Sequence, residues 1–237
     1  MARPVRVLLS CEHGGNQIPD EYTALFAPHC DILNSHRGYD MGALEMARAI
    51  ADATTAPLFA CETSRLLVDP NRSPWHHQLF SRYTRALSRE QRHAIVQQYY
   101  APYRAAIEQF IRRSIEENKA VLHLSIHSFT PVLDNEERQA DIGVLYDPRR
   151  KREVHFAQRI AEAFRESHPE LRCRKNYPYR GISDGLPSFL RKVFDYEVYM
   201  GIELEFNQAL FEHDRPQWDE LAATLTRTLS TDFPARR

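Results

Sequence analysis

Short runs of β-branched and apolar residues alternate along this chain with longer stretches of helical period, and that alternation restricts the fold more than any other feature. VRVLLS (5–10), PLFACE (57–62), AVLHLSIHS (120–128), IGVLYD (142–147) and VYMGIELEF (198–206) have the length and composition of strands. Between them, residues 40–53, 88–118, 149–167 and 215–229 carry apolar side chains at helical spacing. Ser88 and Gln91 form a capping box ahead of the longest helix, and Pro102, which lacks a backbone N–H, is expected to kink or split it. Strands separated by helices favour a parallel sheet covered on both faces. The expectation is one α/β domain over residues 1–237, a three-layer sandwich on a mainly parallel mixed sheet.

The 31 Lys and Arg residues nearly balance 32 Asp and Glu, for a formal charge of −1, and the basic residues are not gathered in blocks. Nucleic acid and anionic membranes would find no electrostatic footprint, so a small-molecule partner is expected. No stretch approaches the roughly 18 apolar residues of a membrane span, and MARPVRVLLSCEHGG passes from a short basic start into a strand without a small-residue cleavage site. A cytoplasmic protein is therefore expected. Cys11, Cys30, Cys61 and Cys173 include no C-x-x-C pair, which suits reduced and mostly buried thiols. Oligomeric state is not legible at this level.

In open α/β sheets ligands bind beyond the carboxyl ends of the strands. His13 follows the first strand in VLLSCEHGGNQIP, Asn71 and Arg72 close RLLVDPNR, and His127 ends AVLHLSIHS. Alternation puts Ile202, Leu204 and Phe206 on one face of their strand and Glu203 and Glu205 on the other. Two carboxylates on a buried strand need a divalent metal or an arginine. Singly, His13 or His127 reads as a turn or core residue. Together with Glu205 they read as a site, because zinc catalytic centres take three ligands from His, Asp and Glu and leave a position for water. Gly14 and Gly15 are expected to turn the backbone sharply there and leave room for metal and substrate. For Glu203 two roles stay open, repulsion of Glu205 within a shared site or pairing with an arginine, the pairing being preferred.

SCEHGGNQIP, RGYDMGALEMARAIA, SRLLVDPNRSP, HLSIHSFTP, IGVLYDP, NYPYRGISDG and IELEFNQALF, in that order over about residues 5–212, resemble the segments of the N-formylglutamate amidohydrolase family. That family is similar in fold and site layout to zinc carboxypeptidases and aspartoacylases. The resemblance implies a zinc-dependent hydrolase of linear amide bonds, removing formyl or another acyl group from an acidic N-acyl amino acid such as N-formyl-glutamate. It implies His13 and His127 as metal ligands and Glu205 as the general acid/base. Carboxypeptidases place a Glu three residues after the first histidine, where this chain has Asn16, a poor ligand by comparison. Asp40 matches an acidic position of the formylglutamate group and is assigned as the third ligand, with Glu12 and Asn16 as alternatives. Its competing reading is a helix N-terminal acid.

Arg72 offers a planar fork to a substrate carboxylate, with Asn71 beside it and Asp69 read as the group that orients it. Arg65 and Arg180 are additional cations, Arg180 being assigned to substrate. Other features read as structural: His123 and Tyr99, Tyr100 and Tyr103 as packing, His76 and His77 as loop. Two further functions remain open, a related metallo-hydrolase of another N-acyl or peptide amide, and a metal-free binding protein on the same scaffold, the latter prompted by Asn16.

Overall fold

The structure, a computed structural model, describes residues 3–232, so both ends of the 1–237 span lie outside the described residues. Its strands are β1 (Val5–Cys11), β2 (Leu58–Ala60), β3 (Ala120–Phe129), a hairpin of β4 (Val132–Leu133) and β5 (Glu136–Glu137), then β6 (Ile142–Leu145), β7 (Cys173–Lys175) and β8 (Tyr199–Asn207). One sheet takes the order β2-β1-β3-β8-β6-β7. β2, β1, β3 and β8 run parallel, whereas β6 is antiparallel to β8 and parallel to β7, which gives the mainly parallel mixed sheet. All residues of β3 are buried, as a central strand covered on both faces requires.

The helices are α1 (Thr23–Phe26), α2 (Cys30–Leu33), α3 (Ala43–Thr54), α4 (Arg89–Ile95), α5 (Ala101–Glu116), α6 (Lys151–Ser167), α7 (Leu186–Val193), α8 (Gln208–His213) and α9 (Arg215–Asp232). On one face α3, α6 and α9 bring Ile50, Ile160 and Leu225 onto Leu124, Ile202 and Leu204. On the other, Ile107 and Ile111 of α5 and Leu186 and Leu190 of α7 pack on Leu8, Val121 and Tyr199. Each such side chain contributes about 1.5–3 kcal/mol by full burial, so the three layers make a rigid base for the loops beyond the strand ends. A separate cluster of Phe26, Leu67, Val68, Leu79, Ile95 and Tyr100 anchors the long connection that carries Asp69 to Arg72.

Local details explain where the elements stop. The Ser88–Gln91 capping box forms, and a π-helical turn at Val96–Tyr100 separates α4 from α5 just before Pro102. Helix α3 begins at Ala43 rather than 40, because Gly42 at its N-cap has φ 79°, a left-handed conformation that favours glycine. Asp40 therefore lies outside the helix, and no side chain caps it. The sharp turn expected at Gly14 and Gly15 is not what those glycines provide. A Cβ on Gly15 would fall 2.4 Å from the Glu62 carbonyl oxygen, so the residue is there to let residues 14–17 run closely beside 61–64. β7, α7, α8 and the β4–β5 hairpin were not legible in the sequence pattern. Cys11, Cys61 and Cys173 are buried and free, while Cys30 is exposed. Among the described residues no helix is long and apolar enough to cross a membrane.

Candidate active site

The carboxyl ends of β1, β3 and β8 adjoin, and the expected site residues gather there. His13 lies two residues beyond β1, and His127 on β3 is in register with Glu205 on β8. Asp40 arrives from the loop before α3, its backbone N–H donating to the His13 carbonyl at 2.9 Å. His13 Nδ1 and His127 Nδ1 stand 3.3 and 2.8 Å from Asp40 Oδ2, and the ring centroids are 5.0 Å apart. One ligand atom from each of the three residues lies within 4.8 Å of the others, and all three residues are buried. Arg65 holds the second Asp40 oxygen.

This donor set fits a metal. His13 directs Nε2 at Asp69 Oδ1, 2.8 Å away, so a neutral ring gives that carboxylate its N–H and turns the Nδ1 lone pair inward. Two imidazole nitrogens and a carboxylate oxygen converging in a buried place could hold a metal ion. Two histidines and one carboxylate match the composition of an open catalytic zinc site. Burial and the charge of Arg65 depress His13 to about 4, against the pull of Asp69. At His127 the burial penalty is outweighed by the hydrogen bond and charge of Glu12, with Glu205 and Glu203 adding, and the ring is pushed up to about 9.

A cavity of about 290 Å³ opens onto the three residues and is bordered also by Glu203, Glu205, Asn71, Arg65, Arg72 and Arg180. Its size suits an amino-acid derivative. Glu205 is 5% exposed, and its Oε2 is buried without a hydrogen-bond partner among the described residues. Burial pushes this carboxyl up to about 7, opposed by His127 and assisted by Glu203. Opposite it in the sheet is Gly143, where a Cβ would come within 3.1 Å of the Glu205 Cβ. Glu203, also raised by burial, takes a hydrogen bond from Asn71. The preferred pairing of Glu203 with an arginine does not form among the described residues, because Arg191 is committed to Glu153 at 3.0 Å.

The cations are arranged unequally. Arg72 Nη1 donates to the Asp184 carbonyl at 3.0 Å, which aims the guanidinium into the cavity wall, while Asp69 Oδ2 is 3.7 Å from Nε. Asp69 therefore serves His13 first and Arg72 only at longer range. The Arg65 Nε is buried with no partner among the described residues, and Arg180 is exposed at the rim. Asn71 Oδ1 accepts from the Leu186 N–H at 2.6 Å.

Of the alternative ligands, Glu12 is fully buried behind His127, and the Asn16 amide donates to Asn34 Oδ1 at 2.8 Å. Neither belongs to the group of His13, Asp40 and His127 whose ligand atoms converge. His123 is core, as expected, between the Ser10 hydroxyl at 2.6 Å and the Tyr199 hydroxyl at 2.8 Å. Tyr103 packs against the core as expected, and its hydroxyl in addition donates to Glu12 at 3.1 Å. The partnership of Asp69 with His13, 56 residues apart, left no local signal in the sequence.

A family model described as N-formylglutamate amidohydrolase matches residues 5–212. A crystal structure of a gene product from Agrobacterium tumefaciens shares 27% identity and a TM-score of 0.81, covering 95% of this chain and 91% of its own. The crystal structure of N-formylglutamate amidohydrolase from Ralstonia eutropha JMP134 is similar in fold, with 18% identity and a TM-score of 0.66 over 96% of this chain and 91% of its own. No curated protein matches.

Proposed function

Because the chain belongs to the N-formylglutamate amidohydrolase family, we propose that it hydrolyses the amide of an acidic N-acyl amino acid, N-formyl-glutamate in the first instance, with the help of a bound zinc ion. What carries the reading is the convergence of His13, Asp40 and His127 on one point of a cavity that also contains an unpartnered, buried Glu205 oxygen. His13 Nδ1, His127 Nδ1 and Asp40 Oδ2 would hold the metal. Bound there, zinc supplies Lewis acidity that lowers the pKa of water and polarises the amide carbonyl.

The remaining work falls to the chain. Glu205 takes a proton from the attacking water and returns one to the leaving amine as the C–N bond breaks, releasing formate and the amino acid. Arg65, with its unpartnered Nε, faces the negative charge that develops on the carbonyl oxygen. Arg72 and Asn71 bind the α-carboxylate, and Arg180 at the rim meets the second acidic group.

Glu205 acts as a base only when ionised, so turnover is lost as the pH falls through its pKa. Cation binding pulls that value down from about 7, and the acidic limb of kcat/KM is expected at or below neutrality. A pH profile that is flat down to pH 5 would remove Glu205 from the base role.

Substrate choice is tested at Arg72. Arg72→Lys keeps the charge but loses the fork, so apparent affinity should weaken by about 1.5–3 kcal/mol while zinc content stays unchanged. N-formyl-glutamate should be cleaved far faster than its α-amide analogue. Equal rates on the two, or wild-type KM in Arg72→Lys, would make this arginine structural and redirect the search to other amides.

A further inference from the structure

Glu12 is a carboxylate shut off from solvent at the end of a buried strand, behind His127 and outside the converging ligand set. Among the described residues neither lysine nor arginine pairs with it. Three donors surround it: the Ser125 hydroxyl at 2.6 Å, the Tyr103 hydroxyl at 3.1 Å, and His127 Nε2 at 3.0 Å. Ser125 has one hydroxyl hydrogen, and an ionised Glu12 can only accept, so that hydrogen goes to Glu12. Ser125 Oγ, 2.9 Å from His127 Nε2, is then left as an acceptor toward the ring. The Asn71 Nδ2 donor, at 3.5 Å, is too distant to compete. Both close neighbours of Nε2 are acceptors, which places the ring hydrogen there and leaves the lone pair of the neutral imidazole on Nδ1, the atom 2.8 Å from Asp40 Oδ2.

We propose that Glu12, clamped by Ser125 and Tyr103, is a positioning residue that fixes His127 in the Nε2–H tautomer and so presents Nδ1 to the metal. The inference rests on the metal-centre reading given above. It assigns a task to the carboxylate that closes β1 and to Tyr103, which reaches it from α5. Ligand histidines whose outer nitrogen donates to a carboxylate are better bases and hold one ring orientation. Here each histidine of the pair would have its own carboxylate, Asp69 for His13 and Glu12 for His127.

Glu12→Gln tests the proposal, because glutamine keeps the size but removes the charge and leaves one acceptor oxygen for three donors. Chelator competition should show zinc bound roughly 10- to 100-fold more weakly than in wild type, the usual cost of losing such an outer partner, with the metal-free protein still folded by circular dichroism. Tyr103→Phe should shift affinity the same way by a smaller factor. Zinc affinity within twofold of wild type in folded Glu12→Gln would overturn the assignment. Should that variant fail to fold, nitrogen NMR of the zinc-loaded wild type decides, with hydrogen on Nε2 of His127 and metal on Nδ1 expected, and metal on Nε2 contradicting the proposal. A wild type that binds no zinc would instead overturn the metal-centre reading itself.

Discussion

Glu205→Gln should retain zinc and fold yet turn over N-formyl-glutamate roughly two to four orders of magnitude more slowly than wild type, the usual worth of a positioned acid/base. Glutamine fills the same volume on β8 and can still hydrogen-bond, but it cannot accept a proton from water and hand it to an amine. The size of the effect follows from the surroundings of the carboxylate. It borders the cavity, one oxygen has no other partner, and burial brings its pKa close to working pH. Glu203→Gln should be milder, because that carboxylate is already engaged by Asn71. Steady-state rates on the two variants check the ranking, and the reverse order would transfer the acid/base role to Glu203. The acidic limb of the pH profile should vanish in Glu205→Gln together with the rate.

Removing a metal ligand should have an effect of comparable scale, read on a different observable. His13→Ala and His127→Ala should each lose tight zinc binding altogether, a larger change than the roughly 10- to 100-fold associated with an outer partner. His13 lies beyond β1 and His127 near the end of β3, both bordering the cavity and outside the hydrophobic clusters, so the metal-free variants should remain folded. Asp40→Asn also deprives Arg65 of its anion, and weaker zinc binding is expected there with some loss of thermal stability. Full zinc occupancy in any one of the three variants would remove that residue from the ligand set.

The parts of this arrangement that the sequence made visible are those that local chemistry dictates. Strand ends, the Ser88 capping box, the break at Pro102 and the shared face of Glu203 and Glu205 all depend on near neighbours, and each appears in the structure. His13 and His127 could be paired because both lie where strands stop. The missing pieces depend on long-range contacts. Asp69 precedes Arg72 in the chain and so read as the group that orients it, yet its close hydrogen bonds are to His13 and the Asn71 N–H, with Arg72 at longer range. For Asp40, assigned as the third ligand, the competing reading as a helix N-terminal acid falls away because Gly42, with its left-handed φ, starts the helix past it. Tyr103 lies on an amphipathic helix where a packing role was the natural reading, and only the fold brings its hydroxyl to Glu12. Gly15 was expected to bend and instead permits a close approach to Glu62.

The central claim is that catalysis depends on a zinc held by His13, Asp40 and His127. It is tested most directly by metal analysis of the wild-type chain, purified without chelators or nickel resin, alongside its activity on N-formyl-glutamate before and after chelation. One zinc per chain is expected, with turnover abolished on its removal, restored by adding back one equivalent, and never recovered in His127→Ala. Full turnover from protein stripped of all divalent metal would contradict the account.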